Sequence, residues 1–308
     1  MKYILRRLLY MIPTLLGVSF IIFTLLHFSP GDPALAILGE NSSTEKLEEL
    51  REEMGLNDPF FVQYGRYAKQ VLIDHNLGDS YRQKDSVASL IAATFPTTLR
   101  LALLSVGVAL LIGVPLGILS AIKRYTIWDS LTMVIGLFGL SIPVFWLGMM
   151  LIIIFASLLR WLPPSGFSTP QQMILPVLSL SLQSVAVIMR MTRSSMLEVL
   201  QQDYIRTATS KGLKMKAVIV VHALKNAFIP VLTSVGLQFG SLMGGAVLTE
   251  SIFSIAGMGR LLTESIKMRD YPVIQGCVLV IAICYCLINL GVDLLYGVLD
   301  PRIRAKYR

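Results

Sequence analysis

Six long apolar runs constrain the fold of this chain more than any other feature. A bilayer core about 30 Å thick takes roughly 20 apolar residues per helix, and each run meets that length. The runs cover about 8–28, 97–122, 131–159, 172–190, 229–249 and 273–299. Only 15% of the residues are charged, whereas a water-exposed surface needs about a quarter. The sequence therefore predicts an all-α membrane protein with six transmembrane helices.

The distribution of charge predicts the orientation of these helices. With the N-terminus inside the cell, the inner segments hold 16 of the 27 Lys and Arg, and the outer segments hold 14 of the 19 acids. Positive residues concentrate on the cytoplasmic side of membrane proteins, so both termini are predicted to be cytoplasmic. The net charge of +8 then reflects topology and the anionic inner leaflet, and does not indicate nucleic-acid binding.

The runs divide the chain into three predicted parts. Residues 1–28 form a first transmembrane helix, which we interpret as retained because no small-residue cleavage site follows it. Residues 29–95 form an outer segment, and residues 96–308 form a five-helix core. The core includes an inner loop at 191–228, called the coupling segment below, and an outer loop at 250–272.

The outer parts contain two predicted helices. One lies near 43–54, where Ser42 and Glu45 have the spacing of a capping box; it either rests on the membrane or docks an outer partner. The other lies in the outer loop, where Gly257 and Gly259 are predicted to turn the chain and Pro272 to begin the last span.

Polar side chains within the spans predict a transport path. Gly236, Gly240 and Gly244 recur every four residues, which allows close approach of another helix. A polar stripe runs along the opposite side of that helix, and the preceding span has a similar one. The predicted path-lining residues are Ser179, Gln183, Ser234, Gln238, Ser241 and Asn289. The alternative is that the serine hydroxyls bond to their own helix backbone.

The coupling segment is basic and helix-forming. A single helix is predicted from Ser194 to Lys211, followed by Gly212 in a left-handed conformation and a second amphipathic stretch over 215–228. Two helices around a glycine turn form a rigid knob to which a partner can bind. The alternative is an amphipathic hairpin that lies on anionic lipid.

No motif in the sequence indicates catalysis. There is no phosphate-binding glycine loop, hydrolytic motif or zinc-ligand spacing, so we expect no catalytic or metal-binding residues. Cys277, Cys284 and Cys286 share one span and are interpreted as packing residues. Asp293 is the only acid deep in a run, which disfavours an ion-coupled carrier. Uphill transport by this chain would therefore draw its energy from a partner.

Ordered motifs along the whole chain carry a family resemblance. They are DYIRTATSKGL (203–213), HALKNAFIP (222–230), PGDP (30–33), MGLNDPFFVQY (54–64), GMGR (257–260), RDYPVIQ (269–275) and DPRIR (300–304). The chain resembles the permease subunits of binding-protein-dependent ABC importers, in the branch that takes up peptides, nickel or glutathione. It departs from the general inner-loop motif of these permeases, because Arg206 and Thr207 stand where Glu and Ala are usual.

The resemblance implies a type I importer fold and several partners. These are a second permease subunit, two ATPase subunits that bind ATP and Mg²⁺, an extracytoplasmic binding protein, and the lipid bilayer. It also implies that the coupling segment docks on an ATPase through Asp203, Tyr204, Arg206, Thr207, Ala208, Lys211, Gly212 and Leu213.

Glu250, Arg260 and Asp270 are predicted to form the outer docking and gating surface. Alternatively, Arg260 and Asp270 anchor the outer loop to lipid headgroups or to each other. We favour peptides as the substrate; a nickel chelate or glutathione, and an ion-coupled carrier or channel, remain the alternatives.

Overall fold

A computed structural model describes residues 2–39 and 42–299, which form helices joined by turns and loops. The helices are α1 (Lys2–His27), α2 (Pro33–Leu38), α3 (Thr44–Glu53), α4 (Phe60–Leu72), α5 (Val87–Ile122), α6 (Ile127–Ser141), α7 (Val144–Leu151), α8 (Pro170–Leu200), α9 (Asp203–Ser210), α10 (Met215–Ala217), α11 (Leu224–Ile252), α12 (Met258–Met268) and α13 (Tyr271–Leu299). Two π-helical stretches, Ile152–Leu158 and Val218–Ala223, continue α7 and α10. The DPRIR motif at 300–304 and the basic tail lie outside the described residues.

Five of the described helical stretches are long and apolar enough to cross a membrane. They are Arg7–His27, Val87–Ile122, Pro170–Leu200, Met215–Gly244 and Tyr271–Leu295. A sixth is obtained if α6 and the helix after it are counted as one broken span. The all-helical architecture agrees with the sequence prediction, and the number of spans is five or six.

The third predicted span is not one continuous helix. The helices Ile127–Ser141 and Val144–Leu158 meet at an angle of 99°. Pro143 lacks a backbone N–H, and its ring disfavours the helical conformation of the preceding residue, Ile142. Ile142 accordingly has an extended backbone, with φ −79° and ψ 122°. Hydropathy alone did not reveal this break, because apolar residues continue through it.

The first compact unit comprises the described residues up to Thr98, together with Ala256–Cys286. In it, α4 packs on α1 through aromatic side chains; the rings of Phe20 and Tyr64, for example, meet edge to face at 5.1 Å. The N-cap of α3 is Ser43, whose hydroxyl accepts a hydrogen bond from the N–H of Lys46. The predicted capping box at Ser42 and Glu45 is therefore wrong, because the helix begins one residue later.

The outer loop contains α12, which belongs to the first unit. Gly257 is the N-cap of this helix with φ −112°, and Gly259 lies in its first turn. Neither glycine therefore supplies a left-handed turn. The hydroxyl of Thr98 accepts a 2.8 Å hydrogen bond from the N–H of Met258, which fixes the start of the helix. Pro272 is the second residue of α13, as predicted for the beginning of the last span.

The second compact unit comprises Leu99–Ile255 and the described residues from Leu287 onward. Its central helix is α8, which starts with a capping box formed by Thr169 and Gln172. Glycines let neighbouring helices approach it closely. A Cβ atom on Gly117 of α5 would lie 2.6 Å from the carbonyl oxygen of Met189, and one on Gly139 of α6 would lie 3.3 Å from that of Leu182.

The predicted glycine face of α11 is only partly a packing face. A side chain on Gly236 would collide with Val292 of α13, and Gly240 is buried. Gly244 is exposed, and a Cβ atom there would meet nothing within 4 Å. Within this chain the first two glycines of the series are covered, and close approach of another helix at Gly244 stays a prediction.

Candidate functional site

Within the coupling segment, α9 is a short helix that is held on an apolar base. Ile205 and Ala208 of α9 are buried in one cluster with Ala121, Met196, Val218, Ala223 and Ala227, which come from α5, α8 and the start of α11 with its π-helical lead. Hydrophobic contacts from several elements fix the position of α9. Ala208 lies on the buried side of α9, and its predicted contact with the ATPase stays a prediction.

The opposite side of α9 is open and polar. The side chain of Asp203 is 98% exposed, and that of Arg206 is 76% exposed. Thr207 and Lys211 are also exposed. Tyr204 is half exposed, and its hydroxyl accepts a 2.8 Å hydrogen bond from the Asn226 side-chain amide. The arrangement is a rigid helix that presents charged and hydroxyl groups away from the apolar base.

The turn after α9 has the predicted geometry. Gly212 has φ +76°, in the left-handed region that favours glycine, and a Cβ atom there would meet nothing within 4 Å. Leu213, the next residue, is 42% exposed. Backbone conformation, rather than crowding, therefore explains the glycine.

The helix predicted from Ser194 to Lys211 is wrong in one respect. It is interrupted at Gln201 and Gln202, because α8 ends at Leu200 and α9 begins at Asp203. The backbone of Gln202 is extended, with φ −74° and ψ 147°. The interruption separates α9 from the long helix.

The predicted path residues fall into two groups. Ser179 and Ser234 are buried, and their hydroxyls donate to the carbonyls of Pro176 and Pro230 on their own helices. In this structure these two serines are covered by the chain itself, and their place on a path stays a prediction. Each hydroxyl satisfies a backbone oxygen one helical turn earlier, which was the alternative interpretation.

The remaining path residues are more accessible. Gln183 and Ser241 are exposed, and Asn289 is partly exposed. Gln238 is partly exposed, and its side-chain oxygen accepts a 3.0 Å hydrogen bond from Ser184. The exposed amide of Gln183 and hydroxyl of Ser241 therefore lie on the parts of α8 and α11 that the chain itself leaves uncovered.

The predicted outer docking residues are mostly buried. Glu250 is 0% exposed and Asp270 is 3% exposed. Asp270 accepts hydrogen bonds from the Ser80 hydroxyl at 2.5 Å and from the Tyr81 N–H at 3.1 Å. Both carboxylates therefore lie inside the chain in this structure, and their role in docking and gating stays a prediction.

Arg260 is the exception among the outer residues. Its side chain is 42% exposed and forms a 2.7 Å ion pair with Glu264, one turn further along α12. Burial, and then the negative charge of Asp270, raises the pKa of Tyr81 to about 12. The junction of Ser80, Tyr81 and Asp270 is thus a closed polar contact within the first unit.

One polar cluster was missed by the sequence analysis. The guanidinium of Arg193 in α8 donates two hydrogen bonds to Asp129 in α6, from Nε at 2.8 Å and from Nη2 at 2.9 Å. The hydroxyl of Ser120 in α5 donates to the same carboxylate at 2.5 Å. Asp129 lies just before the predicted third run and was counted as a loop charge. Its buried position at the start of a helix gave no periodic signal.

Comparison with known proteins identifies the family. Residues 113–305 match the family described as "Binding-protein-dependent transport system inner membrane component", and residues 1–102 match its N-terminal component. The chain belongs to this family. It is a permease subunit of an ABC importer and a component of the bacterial inner membrane. A permease subunit is not the ATPase, so the expectation that this chain is not an enzyme agrees with its family.

Curated relatives match the permease over its full length. It is 45% identical to the dipeptide transport system permease protein DppB of Alkalihalophilus pseudofirmus, with 99% of each chain covered. It is 42% identical to DppB of Escherichia coli K12, again with 99% of each chain covered. It is also 42% identical to the glutathione transport system permease protein GsiC of Escherichia coli K12, with 99% of this chain and 100% of that protein covered.

A solved structure supports the fold. An inward-facing form of the MetNI methionine ABC transporter matches with a TM-score of 0.57 at 16% identity, covering 69% of this chain and 97% of that chain. At this identity the likeness establishes a shared type I permease fold, and substrate is a separate question.

Proposed function

We propose that this permease forms half of a translocation path for di- or oligopeptides, which an extracytoplasmic binding protein delivers. The other half is a second, homologous permease subunit. Two ATPase subunits bind ATP and Mg²⁺ and drive the cycle. The full-length similarity to two dipeptide permeases supports peptides as the substrate.

The observation that carries the proposed mechanism is the construction of α9. An apolar base immobilises the helix, while Asp203, Arg206 and Lys211 are exposed on it and just beyond it. Preorganised side chains lose less conformational entropy when they bind a partner. We infer that Asp203, Tyr204, Arg206, Thr207, Lys211 and Leu213 contact the ATPase around the Gly212 turn.

The proposed orientation places this contact in the cytoplasm, together with both chain termini. It rests on the excess of Lys and Arg in the segments assigned to that side. Gln183 and Ser241, with Gln238 and Asn289, are proposed to line the path between the two permease subunits. Arg260 and Glu264 are the exposed candidates for contact with the binding protein, because their charges lie on the surface of α12.

Reconstitution tests this function directly. The permease pair, the ATPases and the binding protein are placed in liposomes, and uptake of dialanine, glutathione and a nickel–histidine chelate is measured with and without ATP. We expect ATP-dependent uptake of dialanine that requires the binding protein. Preferential uptake of glutathione or of the chelate would reassign the substrate. Uptake driven by an ion gradient without ATP would contradict the proposed mechanism.

A further inference from the structure

The carboxylate of Asp129 joins three helices of the second unit at one point. Besides the two bonds from Arg193 and the one from Ser120, it accepts a 3.1 Å hydrogen bond from the N–H of Tyr125. Asp129 is only 5% exposed. A bidentate contact between a guanidinium and a carboxylate fixes direction as well as distance. The relative orientation of α6 and α8 is therefore set here.

The same part of α8 also supports α9. Met196, one turn after Arg193, is fully buried in the apolar cluster that contains Ile205 and Ala208 of α9. At this level α8 also packs closely on α5, because a Cβ atom on Gly117 would lie 2.6 Å from the Cβ of Thr192. Because Met196 shares this cluster with Ile205 and Ala208, we expect movement of α9 to displace the end of α8 together with Arg193.

The contact between Asp129 and Arg193 also lies near the start of α6, the helix that leads to the broken span. From Asp129, α6 runs along α8 as far as Gly139, whose Cβ position lies 3.3 Å from the Leu182 carbonyl oxygen. Ten residues of helix span about 15 Å. Just beyond Gly139 comes the 99° bend into α7. A rigid helix thus connects the Arg193 contact to the broken span.

We propose that Asp129 and Arg193 are positioning residues that transmit displacement of α9 to the bent span formed by α6 and α7. This inference rests on the proposed docking of α9 on an ATPase. A buried ion pair adds little net stability compared with apolar packing, because desolvation offsets the attraction between its charges. The pair instead fixes the angle between α6 and α8. A displacement can pass from one helix to the other only if that angle is fixed.

The test uses the full complex in liposomes with ATP, the binding protein and dialanine. Asp129→Asn removes the charge, Arg193→Lys removes the bidentate geometry, and Ser120→Ala removes the third helix from the contact. Arg124→Gln is the matched control, because Arg124 is exposed on the turn next to the cluster. Two quantities are compared, namely dialanine transported per ATP hydrolysed and the fluorescence response of a probe on a single introduced cysteine.

The probe is placed either at Ser210 in α9 or at Leu137 in α6, both of which are exposed. In the parent complex, ATP should change the fluorescence at both positions. In Asp129→Asn and Arg193→Lys, we expect the Ser210 response to persist, the Leu137 response to disappear, and transport per ATP to fall at least tenfold. Ser120→Ala should have a smaller effect, and Arg124→Gln should behave as the parent.

Two results would overturn the inference. One is transport per ATP within twofold of the parent in both charge-pair variants. The other is failure of all three variants to assemble, which would assign the cluster to folding. A parent complex without an ATP-dependent response at Ser210 would contradict the proposed docking itself, and the inference would fall with it.

Discussion

The hydroxyl of Ser80 donates a 2.5 Å hydrogen bond to Asp270, although 190 residues separate the two along the chain. Ser80 also accepts hydrogen bonds from the N–H groups of Arg82 and Gln83, so it organises its own turn. Both partners are buried, at 3% exposure each. The contact fastens the loop before α5 to the start of α13 within the first unit.

Removing either side of this contact should destabilise the protein. Ser80→Ala removes the shorter hydrogen bond to the buried Asp270 carboxylate and leaves the 3.1 Å bond from the Tyr81 N–H, and Asp270→Asn removes the charge that strengthens both bonds. Hydrogen bonds to charged groups contribute about 1.5–3 kcal/mol. We expect a lower midpoint of thermal unfolding for the purified complex in both variants. Asp79→Asn, at an exposed neighbouring carboxylate, is the control; equal midpoints in all three would contradict the role of the contact.

Replacement of Gly212 should impair coupling through backbone strain. Gly212→Val forces a β-branched residue into φ +76°, at a cost of about 1–3 kcal/mol. We expect weaker co-purification of the ATPases and less stimulated ATP hydrolysis, with normal membrane insertion. Gly212→Asn is the matched control, because asparagine tolerates the left-handed region and should retain most activity. If valine and asparagine behaved alike, the conformation of this turn would not matter for docking.

Cysteine labelling should separate the two groups of predicted path residues. In a background without Cys277, Cys284 and Cys286, cysteine at Gln183 or Ser241 should react with a small polar thiol reagent in at least one nucleotide state. Cysteine at the buried positions of Ser179 and Ser234 should stay protected, because their neighbours within the chain already cover them. Protection of Gln183 and Ser241 in every state would instead assign them to subunit packing.

Properties that depend on neighbouring residues were predictable from the sequence. The apolar runs predicted most of the long helices, because each charged residue in a bilayer adds its own free-energy cost. Gly212 was predictable because a helix that stops at a glycine commonly uses its left-handed conformation. The break at Pro143 has a local cause too, but hydropathy does not register it.

Properties that depend on distant partners were not predictable. In the sequence Asp270 resembles a surface charge, and only the structure shows that it is buried against Ser80. Arg193 was one of several basic residues in the coupling segment until Asp129, 64 residues away, gave it a partner. Periodicity assigns a face to a side chain but does not say which element covers that face. The burial of Glu250 and Ser179 was missed for the same reason.

The close contact between α5 and α8 makes a further prediction. Gly117→Ala should destabilise the second unit, because the new Cβ atom would lie 2.6 Å from both the Met189 carbonyl oxygen and the Thr192 Cβ. The helices must then separate, and overpacking of this kind typically costs about 1–3 kcal/mol. Gly107→Ala is the matched control on the same helix, since a Cβ atom there would meet nothing within 4 Å.

The two alanine substitutions should therefore change the unfolding midpoint in opposite directions. Alanine is favoured over glycine inside a helix by about 1 kcal/mol, so Gly107→Ala should leave the unfolding midpoint unchanged or raise it. Gly117→Ala should lower the midpoint despite the same gain in helix propensity, because the backbone carbonyl it meets has no rotamer through which to move away. Thermal unfolding of the two purified complexes, monitored by intrinsic fluorescence, measures the difference. If Gly117→Ala were as stable as Gly107→Ala, α5 and α8 would not be packed as closely as described, and the coupling segment would lack the rigid support assigned to it.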